Sequence, residues 1–366
     1  LTECMRSSDT VARLGGDEFT IIMPSLDDPA RISLAAQRIL DALVKPFHLK
    51  GEEAIVTGSI GITVYPDDAS EANDLLRNAD AAMYRAKDQG KATFHFYTAD
   101  LNEEVKERVA IKTGLSKALE RDELSLHYQP KLDLRSERYT GVEALMRWNS
   151  AELGFVSPIR FIPSLEETGL VVEVGEWAIR QALDQHVRWR KQGLPPIRVA
   201  VNLSARQLRE PSFVSIVDHV LRDAGVEPQF LEVEITESML MSDSNAVVHA
   251  LDRLHEMGIQ VAMDDFGTGY SSLNYLKKFP IDTIKIDRSF VADIASDPDD
   301  AEIIKTIISM GKTLNRNIVA EGVETEEQLS ILRDYRCDEI QGYFLSRPMP
   351  ADNLLDVLRQ RDFLKI

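Results

Sequence analysis

The sequence predicts an α/β protein in which a (β/α)8 barrel follows a smaller α+β module. Two observations lead to this prediction. After residue 122, eight short apolar runs alternate with amphipathic helical stretches over about 240 residues, a pattern typical of a TIM-like barrel. Before residue 102, strand-like and helix-like runs occur without that regular alternation. We therefore expect the module over residues 1–101, a charged linker helix over 102–122 and the barrel over 123–366.

The N-terminal module begins with a predicted hairpin. Apolar runs at 11–14 and 19–23 are joined by Gly15, Gly16, Asp17 and Glu18, and the glycines permit a tight turn. Helical patterns follow at 29–43 and 71–90, with strand-like runs at 54–66 and 92–98. The first residue is not Met and leads straight into the hairpin, so we expect that a segment is missing upstream.

The barrel region contains eight predicted strands, and amphipathic helices separate most of them. The strand-like runs are "LSLHYQP", "YTGVEALMRW", "IRVAVNLS", "FLEVEITES", "IQVAMDDF", "IDTIKID", "NIVAEGV" and "EIQGYFLS". Helical stretches are predicted at 176–191, 246–257, 301–314 and 326–335. The first two strands have a short connection, which predicts a hairpin in place of strict parallel order.

Polar side chains collect where these strands end, and in a barrel the ends meet at one mouth. They are Glu143, Asn202, Glu234, Glu237, Asp264, Asp265, Lys285, Asp287, Glu321 and Gln341. Carboxylates crowded together raise one another's pKa unless cations intervene. Oxygen ligands without histidine favour Mg²⁺ or Mn²⁺ over zinc. Two structural alternatives stay open at this point: Lys285 as a salt-bridge partner only, and Asn202 as a helix cap.

The stretch "QVAMDDFGTGYSSL" places two adjacent aspartates at the end of an apolar run. Adjacent side chains on a strand point to opposite faces, so we expect one of Asp264 and Asp265 to face inward and the other sideways or outward. The glycines that follow allow a sharp turn.

Composition excludes several classes of partner. The chain has 60 acidic and 42 basic residues and a net charge of -18, which argues against DNA or an anionic membrane as the main partner. Cys4 and Cys337 are the two cysteines and suggest no disulfide framework. No apolar run has the length of a membrane span, so we expect a cytoplasmic segment whose parent protein could be anchored through a missing N-terminal region.

The N-terminal module resembles the C-terminal part of the GGDEF domain of diguanylate cyclases, on the runs "RLGGDEF", "SIGITVYP" and "NADAAMYRAKDQGK". The resemblance implies a metal ligand at Asp17, nucleotide contacts at Gly15, Gly16 and Glu18, and phosphate contacts at Lys87 and Lys91. It also implies a product-inhibition site in "RSSD", at Arg6 and Asp9. The family's first strand and its guanine-reading positions have no counterpart here, so we expect no cyclase activity.

The barrel region resembles the EAL family of cyclic-di-GMP phosphodiesterases from residue 123 to 361. The motifs "EALMRW", "VNLS", "EITES", "DDFGTGYSSL", "KIDRSF", "AEGVE" and "QGYFLSRPM" occur in the family's order.

The EAL resemblance implies a role for each of these residues. The implied ligands of two Mg²⁺ or Mn²⁺ ions are Glu143, Asn202, Glu234, Asp264, Asp265 and Glu321. Lys285 would position or deprotonate the attacking water, with Glu143 and Glu321 as further catalytic residues. The implied substrate contacts are Arg147, Gln129, Asp287 and Gln341. Glu237 would steady the loop after the fifth strand.

The implied reaction is two-metal hydrolysis of cyclic-di-GMP to linear pGpG, in a homodimer that forms through the EAL domain. Three alternatives stay open. Barrel glycosidases also use two carboxylates, here Glu234 and Glu321. Degenerate EAL domains bind cyclic-di-GMP without cutting it. A cyclase would depend on Asp17 and Glu18.

Overall fold

The computed structural model describes residues 1–24, 30–49, 52–54, 56–241, 245–267 and 279–359. The chain divides into two compact units, residues 1–110 and 111–366, and each is described by itself. A helix, Ala99–Ala118, runs through most of the predicted linker. The predicted domain boundaries stay a prediction.

The N-terminal unit consists of short strand pairs and two helices. The strands are β1 (Thr10–Gly15), β2 (Glu18–Ile22), β3 (Phe47–Leu49), β4 (Glu52–Ala54), β5 (Ile60–Ile62) and β6 (Phe94–Phe96), the helices are Ala30–Leu43 and Ala72–Asp88, and a 3-10 turn covers Thr2–Cys4. β1 and β2 form the predicted antiparallel hairpin. The strand predicted over 54–66 is shorter in the structure. Among the described residues of this run, only Ala54, the last residue of β4, and the three residues of β5 are in strands; β4 pairs back onto β3, and β5 pairs in parallel with β6.

Gly61 explains the tight packing of the second helix on β5. A side chain at this position would come within 1.8 Å of the Ala79 carbonyl oxygen. Only glycine lets helix Ala72–Asp88 approach the strand this closely.

Ten strands form the sheet of the second unit among its described residues. They are β7 (Leu124–Asp133), β8 (Arg138–Ser150), β9 (Gly154–Val156), β10 (Arg198–Asn202), β11 (Leu231–Thr236), β12 (Gln260–Phe266), β13 (Thr283–Ile286), β14 (Asn317–Ala320), β15 (Glu339–Gln341) and β16 (Met349–Pro350). The described helices are Pro158–Thr168, Val171–Lys191, Ala205–Arg209, Phe213–Ala224, Glu237–Met241, Asn245–Glu256, Arg288–Ala292, Pro298–Thr313, Glu326–Asp334 and Ala351–Arg359, with a 3-10 turn at Pro228–Phe230. Among the described helices, none is both long enough and apolar enough to cross a membrane.

Eight of these strands close into a barrel, which confirms the predicted fold. β8, β10, β11, β12, β13, β14 and β15 follow one another in parallel order. β7 pairs antiparallel with both β8 and β15 and closes the ring. The predicted hairpin between the first two strands is therefore confirmed.

Side chains alternate between the two faces of the barrel wall, as the period of two in a strand requires. Val199, Val233, Val261 and Ile284 point outward and pack with the helices in the main hydrophobic core. Each buried aliphatic side chain of this kind contributes roughly 1.5–3 kcal/mol. Alternate residues, such as Glu234 between Val233 and Ile235, point into the barrel. Charged side chains thus occupy an interior that bulky aliphatic residues usually fill.

Candidate active site

Five chain segments bring charged side chains together at the carboxyl ends of the barrel strands. The ammonium group of Lys285, on β13, lies at their centre and is 1% exposed. Its Nζ is 2.6 Å from Glu234 Oε2, 2.7 Å from Glu321 Oε1, 3.1 Å from Asp264 Oδ1 and 3.7 Å from Glu143 Oε2. Exposure rises from 0% at Glu234 to 17% at Glu321, so the cluster opens outward to the barrel mouth.

Neutral amides complete one side of this carboxylate cluster. Glu143 accepts hydrogen bonds from Asn202 Nδ2 at 2.7 Å and from Gln341 Nε2 at 2.6 Å. Gln341 Nε2 also contacts Gln129 Oε1 at 3.0 Å, and Gln129 Nε2 donates to the Ser346 carbonyl at 3.0 Å. These contacts fix the Glu143 carboxylate from two directions.

Asn202 does not cap the helix that follows it, so that structural alternative is wrong. Ser204 accepts from the backbone N–H of Gln207, whose side chain accepts in turn from the Ser204 N–H. This reciprocal pair is a capping box at helix Ala205–Arg209. Asn202 is exposed at the mouth and bonds to Glu143 instead.

Burial and charge act against each other in this cluster. Burial, together with the neighbouring Glu234, raises the pKa of Glu143 to about 7, and burial raises the pKa of Glu321 to about 8 although Lys285 opposes the shift. Burial would also raise the pKa of Glu234, but the ammonium groups of Lys131 and Lys285 lower it to about 2. The cluster therefore carries more carboxylate than Lys285 alone neutralises.

The backbone is irregular where β12 ends in Asp264 and Asp265. Asp265 has a φ of +55°, in the left-handed region, and the pairing of β12 with β13 is irregular between Met263 and Phe266. Aspartate tolerates this conformation better than most residues. Burial and then the nearby carboxylates of Asp264 and Asp287 raise the pKa of Asp265. The regular alternation on which the expectation for Asp264 and Asp265 depends is interrupted here, because β12 is not regular at this point, and their directions stay a prediction.

Three further predicted site residues lie around the cluster with different partners. Arg147, on β8, is half-buried, and its Nη1 donates to the Met146 carbonyl at 2.8 Å. The Asp287 side chain accepts from the Ser289 N–H at 3.0 Å and begins helix Arg288–Ala292. Glu237 is buried and accepts from the Gly267 N–H at 3.2 Å.

The donor set of the cluster fits a hard divalent cation. Its donors are carboxylate and amide oxygens, and the described residues bring no histidine or cysteine into it. Gln341 Oε1 is buried next to Glu143 and has no hydrogen-bond partner, so it is an acceptor that a cation could satisfy. Within the described residues, no three acidic, histidine or cysteine side chains are arranged around an ion position. The Lys285 ammonium occupies the centre of the carboxylates.

Sequence reasoning missed the residues directly below this cluster. Lys131 Nζ lies 2.6 Å from Glu234 Oε1 and 2.6 Å from Glu232 Oε1. The available signal was a lysine at the strand position that alternates with Gln129. Periodicity alone does not reveal that β7 faces β11 across the barrel.

The predicted site residues of the N-terminal unit lie on exposed turns and ends. Gly15 ends β1, Gly16 and Asp17 form the turn, and Glu18 begins β2. All four are exposed, as are Lys87 and Lys91. Arg6 and Asp9 belong to one turn, in which the Asp9 carboxylate accepts from the Arg6 N–H at 2.9 Å. Their proposed roles stay predictions.

The loop after the fifth strand, which Glu237 is expected to steady, begins at Gly267, and its residues 268–273 lie outside the described part of the chain. Gly267 itself has a φ of +101°, and a Cβ there would come within 2.8 Å of the Phe290 ring. The start of the loop thus requires glycine.

Two family profiles match the chain. The profile described as "EAL domain" matches residues 113–348, and the profile described as "Diguanylate cyclase, GGDEF domain" matches residues 1–93. The bifunctional diguanylate cyclase/cyclic di-GMP phosphodiesterase MucR of Pseudomonas aeruginosa is 43% identical over 96% of this chain and 51% of its own length. The cyclic di-GMP phosphodiesterase PdeR of Escherichia coli K12 is 38% identical over 96% of this chain and 53% of its own length. The chain thus spans about half the length of these relatives.

Solved structures resemble the barrel unit. The structure of the PaMucR phosphodiesterase in complex with c-di-GMP has a TM-score of 0.64 and 45% identity, covering 67% of this chain and 99% of that chain. The EAL domain of Mycobacterium smegmatis DcpA has a TM-score of 0.57 and 37% identity, covering 64% of this chain and 97% of that chain.

Proposed function

The chain belongs to the EAL domain family, with a GGDEF domain segment before the barrel, and on that premise we propose that it hydrolyses cyclic-di-GMP to linear pGpG. One observation carries the proposal. Carboxylates from four barrel segments, Glu143, Glu234, Asp264 and Glu321, converge on Lys285 at the mouth. Barrel enzymes carry their active sites on this face.

Two Mg²⁺ or Mn²⁺ ions complete the proposed site. The residues that would hold them are Glu143, Asn202, Glu234, Asp264, Asp265 and Glu321. Bound there, such ions would lower the pKa of water and offset the negative charge of a phosphodiester. The oxygen-only donor set and the unpaired Gln341 Oε1 support this assignment.

The side chains of the chain itself bind and orient the substrate in this proposal. Arg147 supplies a positive charge for the phosphate, while Gln129, Gln341 and Asp287 contact the nucleotide. Lys285 donates a hydrogen bond that orients the attacking water, since its ammonium already lies among the carboxylates that surround the reaction centre. Glu143 and Glu321 act as further catalytic residues, with carboxylate oxygens 3.7 Å and 2.7 Å from Lys285 Nζ.

A glycosidase is the weaker alternative for the same carboxylates. Glu234 is 0% exposed, and Lys131 and Lys285 occupy its two oxygens at 2.6 Å each. A glycosidase needs both carboxyl groups beside the sugar. Glu234 is poorly placed for that role.

The test is incubation of the 366-residue chain with cyclic-di-GMP and either Mg²⁺ or Mn²⁺, followed by chromatography. We expect linear pGpG to accumulate. Glu143→Gln keeps the size of the side chain but removes its charge, and it should abolish hydrolysis without changing the far-UV circular dichroism. Tight binding of cyclic-di-GMP by the parent chain without turnover would instead place the protein among the binding modules.

We further propose that the GGDEF segment does not act as a cyclase within this chain and that the chain forms a homodimer through the EAL domain. Dimerisation is tested by light scattering coupled to size exclusion, with and without Mn²⁺. A monomer under both conditions contradicts the dimer.

A further inference from the structure

A continuous ladder of alternating charges runs down through the barrel from the mouth. Its members, in order, are Lys285, Glu234, Lys131, Glu232, Arg198 and Glu339. Successive contacts measure 2.6 Å from Lys285 to Glu234, 2.6 Å from Glu234 to Lys131 and 2.6 Å from Lys131 to Glu232. Arg198 then contacts Glu232 at 3.2 Å and Glu339 at 2.7 Å. The ladder contains three cations and three carboxylates, so its charges balance.

Lys131 is the member that joins the mouth to the lower half of the ladder. It lies on β7, which is not a neighbour of β11 in the barrel, so its side chain crosses the interior to reach Glu232 and Glu234. These two glutamates are two residues apart on β11 and face the same way. Lys131 is 2% exposed and lies below Glu234, and it therefore has no path to a substrate at the mouth.

The two oxygens of Glu234 are divided between two lysines. Oε1 accepts from Lys131 and Oε2 accepts from Lys285. Rotation of this carboxylate would break both contacts. The orientation of Glu234, a proposed cation ligand, is thus set by Lys131, which lies on the side of Glu234 away from the mouth.

We infer that Lys131 is a positioning residue of the active site: by holding Glu234 Oε1 from below, it aims Glu234 Oε2 at the centre of the mouth and supplies the positive charge that keeps the carboxylate there. This inference rests on the proposed function of Glu234 as a ligand.

Core stability alone does not explain the ladder. Buried ion pairs lose much of their attraction to the cost of desolvation, and apolar replacements of similar volume are often as stable. Neutral side chains could replace both Lys131 and Glu232 without leaving any charge of the ladder unpaired, since the pairs Lys285–Glu234 and Arg198–Glu339 remain. We therefore expect the fold to tolerate that replacement.

The experiment compares the parent chain with Lys131→Met, Glu232→Gln and the double variant. The double variant is the decisive one, because it keeps the numbers of cations and carboxylates in the ladder equal, whereas Lys131→Met alone leaves three carboxylates for two cations. Mn²⁺ binding without substrate is followed by electron paramagnetic resonance of the free ion, and Glu234→Gln defines which part of the signal belongs to the barrel. Turnover of cyclic-di-GMP is then measured over a range of Mn²⁺ concentrations.

We expect the double variant to bind Mn²⁺ at the barrel site about 10- to 100-fold more weakly than the parent. Its KM for cyclic-di-GMP at saturating Mn²⁺ should stay at the parent value, because Lys131 does not touch substrate. Glu232→Gln alone should keep the parent's Mn²⁺ affinity, since Lys131 still holds Glu234.

Two results overturn the inference: parent-like Mn²⁺ affinity in the double variant, or loss of the parent's circular dichroism in that variant, which would make Lys131 structural. The proposed function fails separately. If the parent binds Mn²⁺ through Glu234 but leaves cyclic-di-GMP intact, the phosphodiesterase assignment is wrong, and the Mn²⁺ titrations still decide the role of Lys131.

Discussion

The carboxylates at the barrel mouth keep the Lys285 side chain in its charged form. Burial alone would lower its pKa, but Glu143, Glu234, Glu321 and Asp264 together raise it well above the usual value. In this arrangement it is a fixed hydrogen-bond donor in the middle of the carboxylates. The alternative that it serves only as a salt-bridge partner makes a different prediction for its replacement.

We expect Lys285→Met to lower kcat by about 100-fold or more while leaving KM for cyclic-di-GMP unchanged. Methionine has a similar length without the ammonium, and the proposed partner of Lys285 is water. Steady-state kinetics at saturating Mn²⁺ measure the two constants. Lys305→Met is a matched control, because Lys305 is exposed and pairs only with the exposed Glu302 among the ion pairs of the described residues. A rise in KM with the parent's rate at saturation would contradict the role.

The buried imidazole of His186 makes the stability of the barrel unit depend on pH. It is 4% exposed, contacts the Ile197 carbonyl at 3.0 Å and lies 5.3 Å from the Phe230 ring. Burial lowers its pKa below the usual value of 6.5. The unfolded chain therefore takes up a proton near pH 6.5 before the folded chain does, and the stabilising contribution of neutral His186 is lost as the pH falls below about 6.5.

We expect His186→Asn to destabilise the barrel at pH 7.5 and to destabilise it less at pH 5.5. Asparagine retains a donor for the Ile197 carbonyl but does not titrate. Urea unfolding followed by tryptophan fluorescence measures this, because Trp148, Trp177 and Trp189 all lie in the barrel unit. An equal loss of stability at both pH values would show that His186 does not contribute in this way.

At the scale of elements, the end of β12 is held by the element that follows β11. Glu237, the first residue of helix Glu237–Met241, accepts from the Gly267 N–H directly after β12. This bond fixes where the chain leaves the mouth. It also connects two neighbouring strand ends without involving Lys285.

We expect Glu237→Ala to reduce turnover about 10-fold while leaving Mn²⁺ affinity unchanged, because the backbone after Asp265 would lose its anchor but no proposed ligand would be removed. Kinetics and Mn²⁺ titration measure the two effects. Glu256→Ala, at an exposed helix end, is the control. Parent values for Mn²⁺ binding, substrate binding and turnover would refute this anchoring role.

At the scale of the whole molecule, the two units differ in how they present their acidic residues. The barrel gathers carboxylates from several strands at one mouth. In the N-terminal unit, β1 and β2 pair only with each other among the described residues, and Asp17 is exposed on their turn. Within the described residues, Asp17 belongs to no group of three or more acidic, histidine or cysteine side chains that could hold a cation.

We therefore expect no cyclic-di-GMP from GTP and Mg²⁺. Cyclisation needs two loaded half-sites that face each other, and a cation held by Asp17 alone would be short of protein ligands. The assay uses a Glu143→Gln background, in which hydrolysis cannot hide the product, and Asp17→Asn in that background sets the baseline. Accumulation above the baseline would contradict the expectation.

The order of elements could be read from the sequence, because strand and helix periodicity are local properties. Leu231, Val233 and Ile235 alternate along β11 at the period of two that a barrel wall requires, and polar residues at successive strand ends predicted a mouth. The hairpin between β7 and β8 followed from a short connection. Where the pairing partner was distant, as β6 is for β5, the pattern predicted a strand over 54–66 and β5 covers only Ile60–Ile62.

Which of these side chains touch was decided only by closure of the barrel. Lys131 and Glu234 are 103 residues apart and lie on strands that are not neighbours, so no local pattern links them. The left-handed backbone at Asp265 likewise depends on how β12 pairs with β13. The sequence determined which charged residues lie on which strand. The tertiary structure determined their partners, because contacts across a barrel exist only when all eight strands have closed.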